Sequence, residues 1–132
     1  IAKPNHTELA ELLGRPLDDT DSVLAAAREQ LAHAPGLRLL VVSLGSKGAL
    51  FVSRDESWLA HPAKVALIST VGAGDAMVAG ILCAQLEALE LAECARLATA
   101  FAAAKLARLG PHLPEADQVR ALASTIRLSR VE

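Results

Sequence analysis

The first third of the chain has apolar residues at helical spacing and predicts two amphipathic helices. The apolar face of the first helix consists of Leu9, Leu12 and Leu13. Asn5 is suited to cap its first turn, and Gly14 to end its last turn. The second helix runs from candidate caps at residues 18–21 to about Ala34, where Pro35-Gly36 stops it. Its inward face is formed by Val23, Leu24, Ala27 and Leu31.

The central part of the chain predicts a β-meander. Leu37–Leu44 is a run of strand length with a single charge, which is typical of a strand buried on both faces in a parallel α/β sheet. Turns at Gly45–Gly48 and Arg54–Glu56 separate it from further strands. These further strands are predicted at Ala49–Ser53, Ser57–Ala60 and Lys64–Ile68.

Beyond Gly74 the pattern becomes helical again, because alanine and leucine dominate. Three helices are predicted there, at Asp75–Glu87, Leu91–Leu109 and Glu115–Ser124. The first of them is almost wholly apolar from Ala76 to Ala84, so we expect it to be deeply buried. Residues 126–131 are expected to form a terminal strand or a tail. The order of helix, helix, strands, helix, helix, helix indicates one α/β domain with three layers.

Composition and charge narrow the class of protein. The chain has 132 residues, of which 52% are hydrophobic and 21% charged, so a single folded domain is expected and disorder is excluded. A net charge of −2 supplies no basic surface for nucleic acid or an anionic membrane. No apolar run approaches the ~18 residues of a membrane span, so no transmembrane helix is expected, and we expect no signal peptide.

The cysteines and the first residues suggest where and in what form the chain exists. Cys83 and Cys94 are predicted to be buried free thiols, which favours a reducing, cytoplasmic location. The chain opens with Ile1-Ala2 and without a methionine, so we expect a fragment of a longer protein.

The strongest chemical signal is the turn from Ser69 to Gly80, which reads Ser-Thr-Val-Gly-Ala-Gly-Asp-Ala-Met-Val-Ala-Gly. Free N–H groups at the start of a helix bind anions, and glycines let a phosphate approach the backbone closely. Asp75 would repel that phosphate unless it acts as a base or with a metal. The turn lacks the third glycine of a dinucleotide fingerprint, and the chain has no P-loop. Taken alone, the turn is equally compatible with an ordinary helix start that carries an early aspartate.

Three motifs together resemble the ribokinase-like (PfkB) family of carbohydrate kinases. The turn is similar to the family signature Asp-Thr-x-Gly-Ala-Gly-Asp, with Ser69 in place of the first aspartate. Lys3-Pro4-Asn5-x-x-Glu8 resembles its Asn-x-x-Glu motif, and Ser43-Leu44-Gly45-x-x-Gly48-Ala49 resembles the strand-turn-strand beside its nucleotide. Ser-Thr-Val-Gly-Ala-Gly-Asp followed by a small residue and methionine is most similar to the branch that phosphorylates fructose 1-phosphate.

The resemblance implies a role for individual residues. Asp75 matches the catalytic base that takes the proton of the acceptor hydroxyl. The anion hole, whose N–H groups stabilise the transferring phosphoryl group, is matched by Gly72, Ala73 and Gly74. The implied ATP-binding positions are Asn5, Ser43, Gly45, Gly48, Thr70, Gly72 and Gly74. Glu8 and Asn5 match the motif that organises Mg²⁺, with a contact through water implied. The implied reaction is transfer of the ATP γ-phosphoryl group to the 6-hydroxyl of fructose 1-phosphate, giving fructose 1,6-bisphosphate.

The resemblance also covers only the C-terminal part of a family subunit. Residues 1–132 are therefore expected to form its nucleotide-binding part, without the N-terminal half that holds the sugar site and the lid, and to be inactive alone. The complete subunit could form a homodimer. Kinases of the same family that act on tagatose 6-phosphate or fructose 6-phosphate are alternatives, as is a non-catalytic nucleotide-binding fragment. Without the resemblance, Asn5 and Glu8 are a helix capping box and Gly45–Gly48 a plain turn.

Overall fold

The computed structural model describes residues 1–66, 68, 71–107 and 115–132. Its helices are α1 (His6–Leu13), α2 (Thr20–His33), α3 (Ala73–Leu86), α4 (Leu91–Leu106) and α5 (Ala116–Ala123). Its strands are β1 (Leu40–Ser43), β2 (Ala49–Val52), β3 (Ser57–Ala60) and β4 (Leu128–Arg130). Within these described ranges, no helix has both the length and the apolar content that crossing a membrane requires.

Both N-terminal helices begin where the sequence places their caps. Asn5 Oδ1 accepts the N–H of Glu8 at 2.8 Å, and Glu8 Oε2 accepts the N–H of Asn5 at 2.9 Å. Asp19 caps α2 through the N–H of Ser22 at 2.7 Å. Gly14 ends α1 with a φ of +63°, a left-handed conformation that glycine adopts without strain. Local hydrogen bonds therefore set the limits of these helices.

The four strands form one antiparallel sheet in the order β1-β2-β3-β4. The predicted parallel pairing is thus confined, among the residues that the structure describes, to residues 2–5, which bridge β1 in parallel at Ala2 and Asn5. The reason is the length of the connections, because the short turns between β1, β2 and β3 can join antiparallel strands only. The segment after Ile126 is a strand rather than a tail, since β4 pairs with β3.

The sheet lies between two layers of helices, as the three-layer prediction requires. Side chains alternate along β1 and β2, so each strand contributes side chains to both faces of the sheet. The face toward α1 and α2 buries Leu40, Val42, Leu50 and Val52. The face toward α3, α4 and α5 buries Val41, Ala49, Phe51 and Ala60. The predicted burial of the first strand on both sides is confirmed.

Three further sequence predictions differ from the structure. Residues 64–66 and Ile68 form no strand, because the N–H of Ile68 donates to the carbonyl of Leu106 in α4 at 2.8 Å instead of to a neighbouring strand. Helix α3 is not deeply buried on all sides, since Val78, Leu82 and Leu86 are exposed. It starts at Ala73, two residues before the predicted start. The predicted end of α4 at residue 109 lies outside the described residues.

Candidate functional site

Two helix N-termini and the β1–β2 turn meet at one cavity of about 650 Å³. Its polar side is lined by Lys3, Asn5, His6, Thr7, Ser43, Gly45, Ser46, Gly48, Ala73 and Gly74. The first residues of α1 and of α3 are both among them. Each helix start contributes the positive end of a helix dipole and unsatisfied N–H groups. The polar side of the cavity therefore suits an anion.

The start of α3 is open to a ligand. Gly72 is its N-cap, with a φ of +83° and no side-chain capping bond. The N–H of Ala76 donates to the Gly72 carbonyl at 2.9 Å, which leaves the N–H groups of the preceding three residues without intrahelical acceptors. A β-carbon on Gly74 would stand 3.4 Å from Lys3 Nζ. The absence of that β-carbon leaves room for an oxygen atom beside both the backbone and the ammonium group.

The position of Lys3 follows from strand alternation. The carbonyls of Ala2 and Pro4 accept hydrogen bonds from β1, the Ala2 N–H donates to Leu39 just before that strand, and the Ala2 side chain packs on the cluster beneath α1 and α2. Lys3 therefore points to the opposite face, where α3 begins. Sequence reasoning assigned no role to Lys3, because its proximity to Gly74 depends on the packing of two distant segments. The sequence does place Lys3 directly after Ala2 in an extended segment, and neighbouring side chains in such a segment point to opposite faces.

Asp75 occupies the third position of α3, next to the open N–H groups. Its side chain is exposed and has no hydrogen-bond or ion-pair partner in the part of the chain that the structure describes. Asp75 and Gly72 do not line the cavity, whereas Ala73 and Gly74 do. The carboxylate thus stands at the outer side of the anion-binding turn, accessible to a second substrate.

Asn5 and Glu8 form the capping box described above, and only Asn5 lines the cavity. The cap uses Asn5 Oδ1 and Glu8 Oε2, so Glu8 Oε1 is left for another partner. No group of three potential metal ligands occurs among the described residues. Mg²⁺ in kinases is held mostly by substrate phosphates and water with one or two protein groups, and this sparse donor set fits such an ion.

The β1–β2 turn supplies the remaining predicted positions. Ser43, Gly45 and Gly48 all line the cavity. Gly48 has a φ of +97°, and a β-carbon there would stand 2.0 Å from the Ala60 carbonyl oxygen, so its glycine is also required by the β2–β3 pairing. Lys47 does not line the cavity and lies beside Asp19, whose pKa is lowered by the Ser22 N–H and hydroxyl and, to a smaller extent, by the Lys47 charge. Thr70 lies outside the described residues.

The far side of the cavity is apolar. It is lined by Pro62, Ala63, Val65, Met77, Ala102, Ala103 and Leu106, with Thr99 as the one polar residue among them. The sequence had suggested only a core position for Met77, and gave no signal for the others, because residues of α4 and of the 62–65 segment converge only in the folded chain. An anion-binding rim joined to an apolar recess suits a ligand with a phosphate end and a flat apolar end.

Comparisons with known proteins agree with this arrangement. A family model described as pfkB family carbohydrate kinase matches residues 1–118. A protein of Rhodobacter capsulatus named 1-phosphofructokinase is 49% identical over 126 residues, which are 96% of this chain and 39% of that protein.

Solved structures agree as well. A crystal structure of phosphofructokinase-2 from Escherichia coli in complex with potassium has a TM-score of 0.84 and 34% identity, covering 92% of this chain and 39% of that one. Ribokinase from Thermotoga maritima has a TM-score of 0.77 and 29% identity, covering 93% of this chain and 41% of that one. The ribokinase-like fold prediction is confirmed, and the chain spans about two-fifths of the length of these relatives.

Proposed function

The chain belongs to the pfkB family of carbohydrate kinases, and from that premise we propose that residues 1–132 are the nucleotide-binding part of a phosphosugar kinase. The proposed reaction is transfer of the γ-phosphoryl group of ATP to the 6-hydroxyl of fructose 1-phosphate. The observation that carries it is the meeting of the α1 and α3 N-termini and the Lys3 ammonium group at one cavity.

The two ends of ATP would occupy different parts of the cavity. The phosphates would bind the first turn of α3 and Lys3, where N–H groups and a positive charge are already oriented. The base would occupy the apolar recess beside Met77 and Leu106. Phosphoryl transfer depends mainly on positioning and on neutralising charge, and both are supplied by groups that are fixed in the fold.

Asp75 is proposed as the general base. Its exposed carboxylate lies two residues from Ala73 and one from Gly74, which line the phosphate side. A hydroxyl brought to that outer side would meet the carboxylate and the γ-phosphoryl group together. Mg²⁺, held by the phosphates with Glu8 and Asn5 through water, would neutralise phosphate charge.

The choice of fructose 1-phosphate rests on relatedness. The Rhodobacter capsulatus protein named 1-phosphofructokinase is 49% identical to this chain, against 34% for phosphofructokinase-2. Fructose 6-phosphate and tagatose 6-phosphate are the competing acceptors. Comparison of kcat/KM for the three sugars on the complete subunit decides between them, and a preference for either 6-phosphate overturns the choice.

Thermal unfolding of the purified chain with and without MgATP tests the nucleotide site directly. A ligand that binds only the folded chain stabilises it by about 2.7 kcal/mol at a hundredfold excess over Kd. We expect a higher Tm with MgATP and no turnover of fructose 1-phosphate by the chain alone, because the acceptor side of Asp75 is open to water. An unchanged Tm contradicts the nucleotide site, and turnover contradicts the expected inactivity.

Two lysine variants make that test specific. Lys3→Met removes the ammonium group beside Gly74, and the loss of a charge-assisted phosphate contact should raise the Kd for MgATP about tenfold or more. Lys47→Met removes an equal charge next to the cavity but outside its lining, and should leave the Kd within about twofold. Equal effects of the two variants would show a general charge effect instead of a contact with Lys3.

A further inference from the structure

A second cavity, of about 290 Å³, lies between helix α2, the β2–β3 turn and the residues that follow β4. It is at the opposite end of the sheet from the cavity beside α3, because β2 runs from Gly48, which lines that cavity, to Ser53, which lines this one. Five extended residues span about 17 Å, so one small ligand cannot occupy both cavities. The second cavity is therefore separate from the proposed nucleotide site.

Three arginines line this second cavity. Arg28 comes from α2, Arg54 from the β2–β3 turn and Arg130 from β4. None of the three forms an ion pair with any residue that the structure describes. Arg28 Nη2 donates to the Val131 carbonyl at 3.4 Å, and Arg54 Nη2 donates to two carbonyls just after α2, both at 3.3 Å. Each of these contacts uses one nitrogen of a guanidinium group, so further N–H groups remain for an anion.

The β2–β3 turn holds its part of the cavity in place. The N–H of Ser53 donates to the Glu56 carbonyl at 2.9 Å, and the Ser53 hydroxyl donates to the same carbonyl at 3.0 Å. The hydroxyl oxygen also accepts the N–H of Glu56 at 3.1 Å. These bonds fix the backbone that carries Arg54 and Asp55, so binding a ligand there needs little further ordering of the turn.

The wall of the second cavity contains a hydroxyl group without a partner. Ser57 lines the cavity and is 2% exposed, and its Oγ has no hydrogen-bond partner within the described part of the chain. Ser57 pairs with Val52 in the sheet, so its side chain points to the face that α2 covers, on the side of Arg28. Buried hydroxyl groups in folded proteins are nearly always hydrogen-bonded. A ligand oxygen in the cavity would supply the partner that the chain does not.

The lining and the volume indicate the class of ligand. Guanidinium groups bind phosphate through paired N–H donors. The carboxylates of Asp55, Glu56 and Glu132 also line the cavity. They would repel a ligand that carried only negative charge, but they accept hydrogen bonds from hydroxyl groups. A volume of about 290 Å³ is at the lower end of the ~300–1,000 Å³ typical of ligand sites, which suits a molecule of monosaccharide size.

We propose that the second cavity binds a sugar phosphate. The phosphate would lie against Arg28 and Arg54, and the sugar hydroxyls would bond to Ser57 and to the carboxylates. The residues that build the site lie between positions 28 and 132, so no local motif in the sequence reports it. The proposal depends neither on family membership nor on the reaction proposed above.

Equilibrium dialysis of radiolabelled glucose 6-phosphate against the purified chain tests the proposal. This probe carries a phosphate and several hydroxyl groups, and it is not one of the acceptors considered above. We expect saturable binding, no binding of glucose, and an affinity for inorganic phosphate at least about tenfold weaker than for glucose 6-phosphate. No saturation up to about 10 mM, or an equal affinity for inorganic phosphate, overturns the proposal.

Arginine variants locate the bound probe. Arg28→Gln should raise the Kd for glucose 6-phosphate about tenfold or more, because it removes a charge-assisted phosphate contact. Arg38→Gln is the matched control, since Arg38 is exposed just before β1 at the same end of the sheet but does not line the cavity. Its Kd should stay within about twofold. Lys3→Met should also leave the Kd unchanged, and a loss of binding there would place the probe in the cavity beside α3 and overturn the proposal.

Ser57→Ala separates binding from folding. The substitution removes the buried hydroxyl that lacks a partner, so the free chain should unfold at the same or a higher Tm. The Kd for glucose 6-phosphate should nevertheless rise about threefold or more, because the ligand loses a hydrogen bond. A hydroxyl with a purely structural role would give the reverse, a lower Tm with an unchanged Kd. That result, or equal Kd values for Arg28→Gln and Arg38→Gln, contradicts the proposed site.

Discussion

A single substitution can distinguish the contribution of the Asp75 carboxylate from that of the phosphate-binding groups. Asp75→Asn keeps the shape of the side chain but removes its basicity and its repulsion of phosphate. We expect MgATP to bind the chain as tightly as before or more tightly, while kcat of the complete subunit falls ~10²–10⁴-fold. Calorimetry and a coupled kinase assay measure the two quantities. Asp21→Asn, in the first turn of α2, is the matched control and should change neither. Unchanged turnover of the Asp75 variant removes the base assignment.

Cys94 makes the free energy of unfolding depend on pH in the alkaline range. Burial raises the pKa of its thiol from 9.0 to about 11. Above pH 9 the unfolded chain loses this proton while the folded chain keeps it, so the free energy of unfolding falls as the pH rises from 9 toward 11. The contribution is complete below pH 9. Urea midpoints at pH 8 and pH 10.5 measure the fall, which should be smaller in Cys94→Ala than in Cys83→Ala. Equal falls in the two variants contradict a buried Cys94 proton.

What the sequence could predict about single residues depended on the distance between partners. The capping box of Asn5 and Glu8 joins residues three apart, so its pattern is visible in the sequence and the structure confirms it. Lys3 meets Gly74 across 71 positions, and no local pattern reports that contact. The catalytic and nucleotide roles of Asp75, Ser43 and Gly45 came from resemblance, and the structure brings the latter two to the cavity without testing their chemistry.

At the scale of elements, the contact between α3 and α4 depends on Gly80. A β-carbon at this position would stand 2.6 Å from Ala98 Cα, which is backbone and cannot move without shifting the helix. Gly80→Ala should therefore lower the free energy of unfolding by ~1–3 kcal/mol and reduce the Tm rise caused by MgATP, because the start of α3 moves with the helix. Urea unfolding and thermal shift measure the two effects. Gly36→Ala, with no atom within 4 Å of its β-carbon, is the matched control and should be neutral to slightly stabilising. An effect at Gly80 no larger than at Gly36 contradicts the close packing.

Element predictions failed where the outcome depended on the neighbours of a segment. Residues 64–68 have strand-like composition, but strand formation needs a partner strand, and Ile68 bonds to α4 instead. The apolar run from Ala76 to Ala84 indicated that α3 is deeply buried, yet Val78 and Leu82 within that run are exposed. Hydrophobic periodicity shows that a face needs cover, and it does not show whether the cover lies within the same chain.

The whole molecule is organised around strands that serve two apolar clusters at once. One cluster lies beneath α1 and α2 and the other beneath α3, α4 and α5, and both are anchored in β1 and β2. The alternation along Leu40, Val41 and Val42 makes this sharing possible, since neighbouring side chains enter opposite clusters. The layer order was predictable from the order of elements. Neither cluster can lose its strands without exposing the other, so the two should unfold together.

Unfolding should consequently be a single cooperative transition. Trp58, the one tryptophan of the chain, lies on β3 and reports on the sheet by fluorescence, while circular dichroism reports on the helices. We expect the two urea curves to coincide. Leu24→Ala and Val41→Ala remove buried side chains from opposite clusters and should each shift both curves together, with a loss of roughly 2–5 kcal/mol for Leu24→Ala. If Leu24→Ala shifts the circular dichroism curve while the Trp58 curve stays in place, the two clusters are independent units and the shared-strand account is wrong.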